Sequence, residues 1–337
     1  MKNQRKNHSI LNLVQLSLAL MLIVSMSENI SANSTDTGNS LRRFVGPYTI
    51  EVLAQDIYHI EDANESNPAG MQLDKDGNYT GINNCSDMYF IVGKEKALLI
   101  DLSNALSNAD KATEFLRSIV YERTGNKELY VTITHNHGDH LGMLPAFVND
   151  SKAKFWLSEA EFKNVSNRFP AERTTYFAEN ASFDLGGFKV NTIEVPGHTA
   201  HSILFFLNDD NLVFSGDAIG SGTGVWLFNY DGFLSYIKGI ENLIKYIENP
   251  ANNIDIKKLV IHGGHNWQSG QIGKLTAQYI YDMRTLIEKI SQGTAESNPM
   301  SPSRGFLDTN FKYGTATITW NKEAAAKYAD SVKAESP

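Results

Sequence analysis

The run Leu129–Thr134 is apolar and rich in β-branched residues, and it ends directly in His135-Asn136-His137-Gly138-Asp139-His140. Such a run reads as a buried strand. The four potential metal ligands in the six residues after it must then sit on a tight turn at the strand's end. Gly138 lets that turn bend without a Cβ clash. A lone histidine is usually a core or surface residue, but a cluster of donors placed after a buried strand is not explained that way. Imidazole and carboxylate suit zinc, and alternate side chains on a turn can be aimed at different ions.

Three further donors follow strand-like segments. His198 lies in Pro196-Gly197-His198-Thr199 after the strand 188–195. Asp217 lies in Phe214-Ser215-Gly216-Asp217 after Leu212–Phe214. His265 follows Gly263-Gly264 after Lys258–Ile261, and His262, at the end of the same strand, is its rival. An aspartate after glycine is ordinarily a turn former. Taken together, however, successive strand ends bring donors to a common edge, as open α/β sites do.

The rest of the chain supports that organisation. Strands are expected at Tyr48–Val52, Ile57–Ile60, Met88–Val92, Ala97–Ile100, Lys154–Leu157 and Ile203–Leu207. Asp110–Tyr121 reads as a helix ended by Gly125, with Phe115, Leu116, Ile119 and Val120 on one side. Further helices are expected near Leu141, from Ser158, over 233–248 and over 272–290, the last closed by Gly293. Residues 61–84 read as a long loop, 294–305 as a linker, Tyr313–Trp320 as a last strand and 321–337 as a helix or tail. Strands and helices alternate in two passes, which is an α/β layered arrangement.

The string Thr134-His-Asn-His-Gly-Asp-His140, then Pro-Gly-His198, Ser-Gly-Asp217 and Gly-Gly-His265, resembles the metallo-β-lactamase superfamily over roughly Tyr48 to His265. The resemblance implies a four-layer αββα sandwich with the site at one edge of its two sheets, and one catalytic domain over 48–320. Carried over residue by residue, it implies that His135, His137 and His198 hold a first metal, that Asp139, His140 and His265 hold a second, and that Asp217 bridges them. Two Zn2+ ions are expected, with iron or manganese as alternatives, because His and Asp accept all three. Two metals about 3.5–4 Å apart share a water and lower its pKa from ~15.7 to roughly 7. Asp139 is then the group to orient that nucleophile and pass on its proton.

Asp217 stands where some β-lactamases carry a cysteine ligand. That resembles thioesterases, lactonases and related hydrolases, so a small ester, thioester or lactone is the expected substrate. Phosphodiester, sulfate-ester or β-lactam cleavage on the same site, and an inactive binding protein of the same fold, are the alternatives. No Lys or Arg adjoins the motifs in sequence, which ranks phosphodiesters lower. Where the family often has Pro-Gly after His-Thr, this chain has Ala200-His201-Ser202. His201, Trp226 and Tyr230 (from the glycine-rich segment 220–230), and Asn266 and Trp267 beside His265, are candidate substrate contacts. For Trp226 and Phe228, packing is an equal alternative.

Lys2, Arg5 and Lys6 precede an apolar run from about Ile10 to Met26, and small residues follow, including Ser31 and Ala32. This reads as a signal peptide over 1–32 and export to the periplasm or beyond, followed by a flexible leader over 33–47. Polar breaks and a length short of about 20 residues argue against a retained membrane span. Losing residues 1–32 removes a net +2, taking the formal charge from −8 to −10. An acidic chain without a basic patch is not expected to bind nucleic acid. Cys85 is the only cysteine, so no intrachain disulfide forms, and a buried filler role is expected for it. The oligomeric state is left open.

Overall fold

A computed structural model describes residues 43–62, 72–73, 79–80, 85–106, 109–221, 224–266, 275–303 and 306–335. The signal peptide, most of the leader, most of the loop expected at 61–84, and Trp267 lie outside these residues.

The first sheet opens with β1 (Arg43–Val45), β2 (Tyr48–Ala54) and β3 (Ile57–Asp62). A separate ribbon follows, β4 (Gln72–Leu73) with β5 (Tyr79–Thr80). The sheet continues with β6 (Asp87–Val92), β7 (Lys96–Ile100), β8 (Glu128–Thr132), β9 (Ala153–Ser158) and β10 (Thr174–Phe177). Strands β7 to β10 are mutually parallel, and the helix Ala109–Thr124 makes the crossover from β7 to β8. The second sheet runs β11 (Ser182–Asp184), β12 (Lys189–Glu194), β13 (Ile203–Leu207) and β14 (Leu212–Gly216). After β15 (Val225–Trp226) and the helix Tyr230–Glu248, it is completed by β16 (Val260–Gly263), parallel to β14, and β17 (Leu275–Thr276). β15 belongs to a third sheet with β18 (Glu296–Ser303), β19 (Leu307–Tyr313) and β20 (Ala316–Trp320).

Three apolar clusters define the layers. Between the two large sheets lie Ile57, Tyr89, Ile91, Ile100, Trp156, Phe205 and Phe214. On the outer face of the first sheet, Phe90, Leu99 and Val131 meet Leu116, Ile119 and Val120 of the helix Ala109–Thr124. On the outer face of the second, Val213 and Ile261 meet the helices Tyr230–Glu248 and Ala277–Gln292. Helix, sheet, sheet, helix is the expected four-layer order. The helix Tyr230–Glu248 forms because Asn229 caps it, accepting from Gly232 N at 2.7 Å, and because Phe233, Tyr236, Ile240, Leu243, Ile244 and Ile247 recur on one buried face. Each such side chain contributes roughly 1.5–3 kcal/mol by burial.

Several sequence expectations need correction. The leader was expected to run to residue 47, but Gly46, at φ +57, turns Arg43–Val45 back onto β2 as a paired strand. Phe115 faces out over Gly46 and is exposed, not part of the buried stripe. The helix expected from 272 begins at Ala277, because 275–276 pair with β16. The expected linker at 294–305 contains β18 instead; its Pro299 is tolerated because β18 is an edge strand. Residues 322–335 are helical and dock through Ala325 and Ala329. Among the described residues, no helix is long and apolar enough to cross a membrane.

Candidate metal centre

Each donor stands just past the carboxyl end of a strand. His135 to His140 follow β8, and Gly138–His140 form one turn of 3-10 helix. His198 follows β12, Asp217 follows β14 and His265 follows β16. The first sheet thus supplies four of the donors and the second sheet three. The two sets meet because Thr134 O accepts from Ile203 N at 2.9 Å and Gly264 O accepts from Asp87 N at 2.8 Å.

The donors fall into two groups, His135 with His137 and His198, and Asp139 with His140, Asp217 and His265, with donor atoms in each group within 4.8 Å of one another. His198 Nε2 lies 3.0 Å from His137 Nδ1. Asp217 stands between the groups: its Oδ2 is 3.5 Å from His198 Nε2 and 3.3 Å from His265 Nε2, and its Oδ1 is 3.5 Å from His140 Nε2. Asp139 Oδ2 is 3.5 Å from His265 Nε2. His262, the rival ligand, is elsewhere. It is buried in the inter-sheet core, its ring stacked on Phe214 at 5.8 Å, and burial pushes its pKa down to about 3.

Outer hydrogen bonds fix which nitrogen each ring turns inward. His140 Nδ1 donates to Asp101 Oδ2 at 2.9 Å, His198 Nδ1 to Trp226 O at 2.9 Å and His265 Nδ1 to Cys85 O at 2.6 Å. Their Nε2 atoms are left for the centre, a metal-site habit of histidine. His135 Nε2, His140 Nε2 and Asp217 Oδ1 are buried with no hydrogen-bond partner. Leaving such atoms unsatisfied costs about 1–3 kcal/mol each, and a cation held among them removes that cost. The donor set therefore fits a metal.

The electrostatics divide along the same line. Burial, with His140 and His198 close by, pushes the His135 imidazole well below its ordinary pKa; burial beside His198 brings His137 down to about 4. Burial also lowers His198. This trio is neutral and offers lone pairs. In the second group burial opposes charge, yet Asp217 and Asp101 raise His140 to about 10, and Asp217 and Asp139 hold His265 well above its usual value. Conversely, burial favours the neutral acid at Asp139 and Asp217, but His265 and His140 hold both carboxyls below the carboxylate range. A cation entering here displaces protons from His140 and His265.

The candidate substrate contacts separate. Trp226 is half-buried beside the centre through its carbonyl. His201 is at the rim, its Nδ1 bonded to Glu194 Oε1 at 2.9 Å and its amide to Glu161 Oε2 at 3.1 Å. Tyr230 is turned away: its ring packs on Trp320 and Tyr328 and docks the last helix. Asn266 is also turned away, buried with its side chain on Tyr89 and Gly263. Their neighbours in sequence gave no sign of this, because Trp320, Tyr328 and Tyr89 lie far along the chain. Cys85 is buried as expected, and its Sγ donates to Asp62 O.

Sequence reasoning missed three contributors, Asp101, Glu161 and Arg168, and left Phe228 evenly between substrate contact and packing. Asp101 orients His140, and its place at the end of β7 obeys the same strand-end rule as the ligands. Phe228 sets its ring 5.5 Å from His198 and 5.9 Å from His137. Glu161 ties the two ligand loops together, accepting from Asn136 N at 2.8 Å as well as from His201 N. Arg168 donates to Asn136 Oδ1 at 3.1 Å, so a basic residue does border the ligand turn although none adjoins it in sequence.

Comparison with known proteins agrees with the layers and the strand ends. The family model described as the metallo-beta-lactamase superfamily matches residues 86–250, which include every donor except His265. A hydroxyacylglutathione hydrolase of Rhizobium meliloti is 32% identical over 125 residues, 36% of this chain and 46% of the relative. The beta-lactamase-like protein 2 homolog of Caenorhabditis elegans is 28% identical over 52% of this chain and 58% of its own length. The chain thus spans about half the length of these curated relatives. A metallo-beta-lactamase from Pontibacter korlensis superposes with TM-score 0.51 at 17% identity, over 72% of this chain and 99% of that one. VMB-1 does so with TM-score 0.53 at 15% identity, over 73% and 99%. At these identities the structural likeness speaks for the fold alone.

Proposed function

Because the chain belongs to the metallo-β-lactamase superfamily, we propose that it is a metal-dependent hydrolase that holds two divalent ions, Zn2+ first among them, and cleaves a small ester, thioester or lactone. The observation that carries this reading is the buried set of donor atoms without hydrogen-bond partners, His135 Nε2, His140 Nε2 and Asp217 Oδ1. His135, His137 and His198 would hold one ion, Asp139, His140 and His265 the other, with Asp217 between them. Bound there, an ion pair lowers the pKa of water toward roughly 7 and polarises a substrate oxygen.

The chain's own groups supply the rest. Asp139 is the more open of the two carboxylates, its side chain 37% exposed against 15% for Asp217. It can therefore orient an attacking water, take its proton as the water oxygen bonds the acyl carbon, and return that proton to the alkoxide or thiolate released as the acyl–oxygen or acyl–sulfur bond breaks. Glu161 keeps the Asn136 and His201 loops in register. Phe228 presents an apolar wall that keeps bulk water from His137 and His198. The relative's name, hydroxyacylglutathione hydrolase, favours a thioester. We place the reaction outside the cytoplasm on the strength of the basic and then apolar segment within residues 1–32.

Arg168, exposed beside Asn136, supports a second reading in which the substrate carries an anionic group and a phosphodiester or sulfate ester is cleaved. A panel of thioesters, aryl esters, lactones and bis-aryl phosphates, assayed with and without chelator, separates the two. The expected result is thioester, ester or lactone turnover that a chelator abolishes and Zn2+ restores. Turnover of the phosphates alone selects the second reading. Metal-free chain that turns over an ester equally fast overturns both.

A further inference from the structure

The loop that carries His265 leaves the second sheet but is tied down by the first. Asp87 and Tyr89 alternate on β6 and so face the same way, and Cys85 lies just before that strand. Each holds one point of residues 263–266. Cys85 O accepts from His265 Nδ1 at 2.6 Å. Asp87 Oδ2 accepts from Asn266 N at 2.5 Å, while the Asp87 amide donates to Gly264 O at 2.8 Å. Tyr89 donates its hydroxyl to Gly263 O at 2.6 Å and accepts from Asn266 Nδ2. Asn266 Oδ1 closes the turn on Gly263 N at 3.1 Å.

Behind this face stands His59, which is fully buried. Its Nε2 lies 2.6 Å from Asp87 Oδ1, its ring stacks on Tyr89 at 5.4 Å, and Glu51 Oε2 is 3.8 Å from its Nδ1. Burial works to discharge the ring, but Asp87, Glu51 and Glu61 together outweigh it and raise the pKa to about 10. A buried ion pair is a poor source of stability, because desolvation offsets most of the attraction. Its geometric effect here is plain: one oxygen of Asp87 is occupied by His59, which turns the other onto the Asn266 amide.

We infer that the His59–Asp87 pair is a positioning device for the last metal ligand, holding the 263–266 turn so that His265 Nε2 faces Asp139 and Asp217. Neither residue touches the centre. The inference rests on the two-ion reading above, and its effect should fall on one of the two ions only.

Asp87→Asn is the sharpest test. An amide offers a single acceptor oxygen, so it cannot receive both His59 Nε2–H and Asn266 N–H. Stepwise Co2+ titration of the metal-free full-length chain, followed by visible absorption and calorimetry, reads both ions. In Asp87→Asn one binding step should weaken by about 10–100-fold while the step assigned to His135, His137 and His198 stays within about twofold. Asp87→Glu, which keeps both acceptors, should recover part of the loss, and His59→Gln should move the same step in the same direction. Equal weakening of both steps, or a lower Tm with both steps unchanged, overturns the inference. A single step in the unmodified chain would count against the two-ion reading instead. Hydrogen exchange at the Asn266 amide in metal-free chain then decides: faster exchange in Asp87→Asn and His59→Gln supports the device, and unchanged exchange overturns it.

Discussion

Asp101 is the residue on which the second donor group turns. It adopts φ +63, a left-handed conformation that strains a residue with a Cβ, and it is buried. Its carboxylate accepts from Thr134 N at 2.7 Å, Thr134 Oγ1 at 2.8 Å and His140 Nδ1 at 2.9 Å. In Asp101→Asn an amide nitrogen at the Oδ2 position faces both Thr134 Oγ1 and His140 Nδ1, so His140 loses its fixed tautomer. Metal affinity measured by calorimetry should drop by about 10–100-fold, and an unchanged affinity would contradict this role. His59 carries a pH signature of its own. Its folded pKa of about 10 exceeds the ordinary 6.5, so the stability it adds is complete below about pH 6.5 and is lost as pH rises through 10. The Tm difference between the unmodified chain and His59→Gln should accordingly narrow from pH 6.5 to 10; a gap that is flat or widens would contradict the charged pair. The donors were legible in the sequence because each follows a strand. Asp101 was not, since its meaning lies in partners 33 and 39 residues away. Asn266 was misread for the same reason: adjacency to His265 says nothing of Asp87 and Tyr89 across the sheets.

At the scale of elements, strand tips must approach closely enough for side chains to share ions, and two glycines make that possible. Gly216, at φ +48, would place a Cβ 2.3 Å from Thr134 Oγ1. A Cβ at Gly264 would lie 2.4 Å from Asp217 Oδ1, 2.7 Å from His140 Cε1 and 3.0 Å from the Gly216 backbone. Gly264→Ala should therefore push the ends of β14 and β16 apart. We expect a loss of about 1–3 kcal/mol in stability from overpacking, read by denaturant unfolding, with at least one ion lost by elemental analysis. Full metal content and unchanged stability would contradict the close approach. Strands with continuous apolar runs, such as β6 and β13, were readable from sequence. Those on the edges were not. β10 and β11 are short and half-exposed, and β18 carries Pro299 within a Ser-rich stretch, so local composition pointed to loop where pairing with β19 makes strand.

For the described residues as a whole, two sheets that share an inter-sheet core contribute donors to one edge, so an ion there would join the sheets at that edge as well as serve chemistry. Binding a ligand only in the folded state stabilises it by about 2.7 kcal/mol when the free concentration is 100 times Kd. Metal removal should then lower Tm as well as abolish turnover. The layered architecture was legible from the alternation of strands and helices; the third sheet was not, because its pairing of β15 with β20 joins segments some ninety residues apart. The measurement that goes most directly to the centre is metal content: elemental mass spectrometry on purified full-length chain, before and after dialysis against Zn2+, with Tm recorded on the same samples. About two equivalents per chain and a Tm that rises on loading are expected. Chain that stays metal-free after dialysis, with Tm unmoved, would contradict a metal centre built from His135, His137, Asp139, His140, His198, Asp217 and His265.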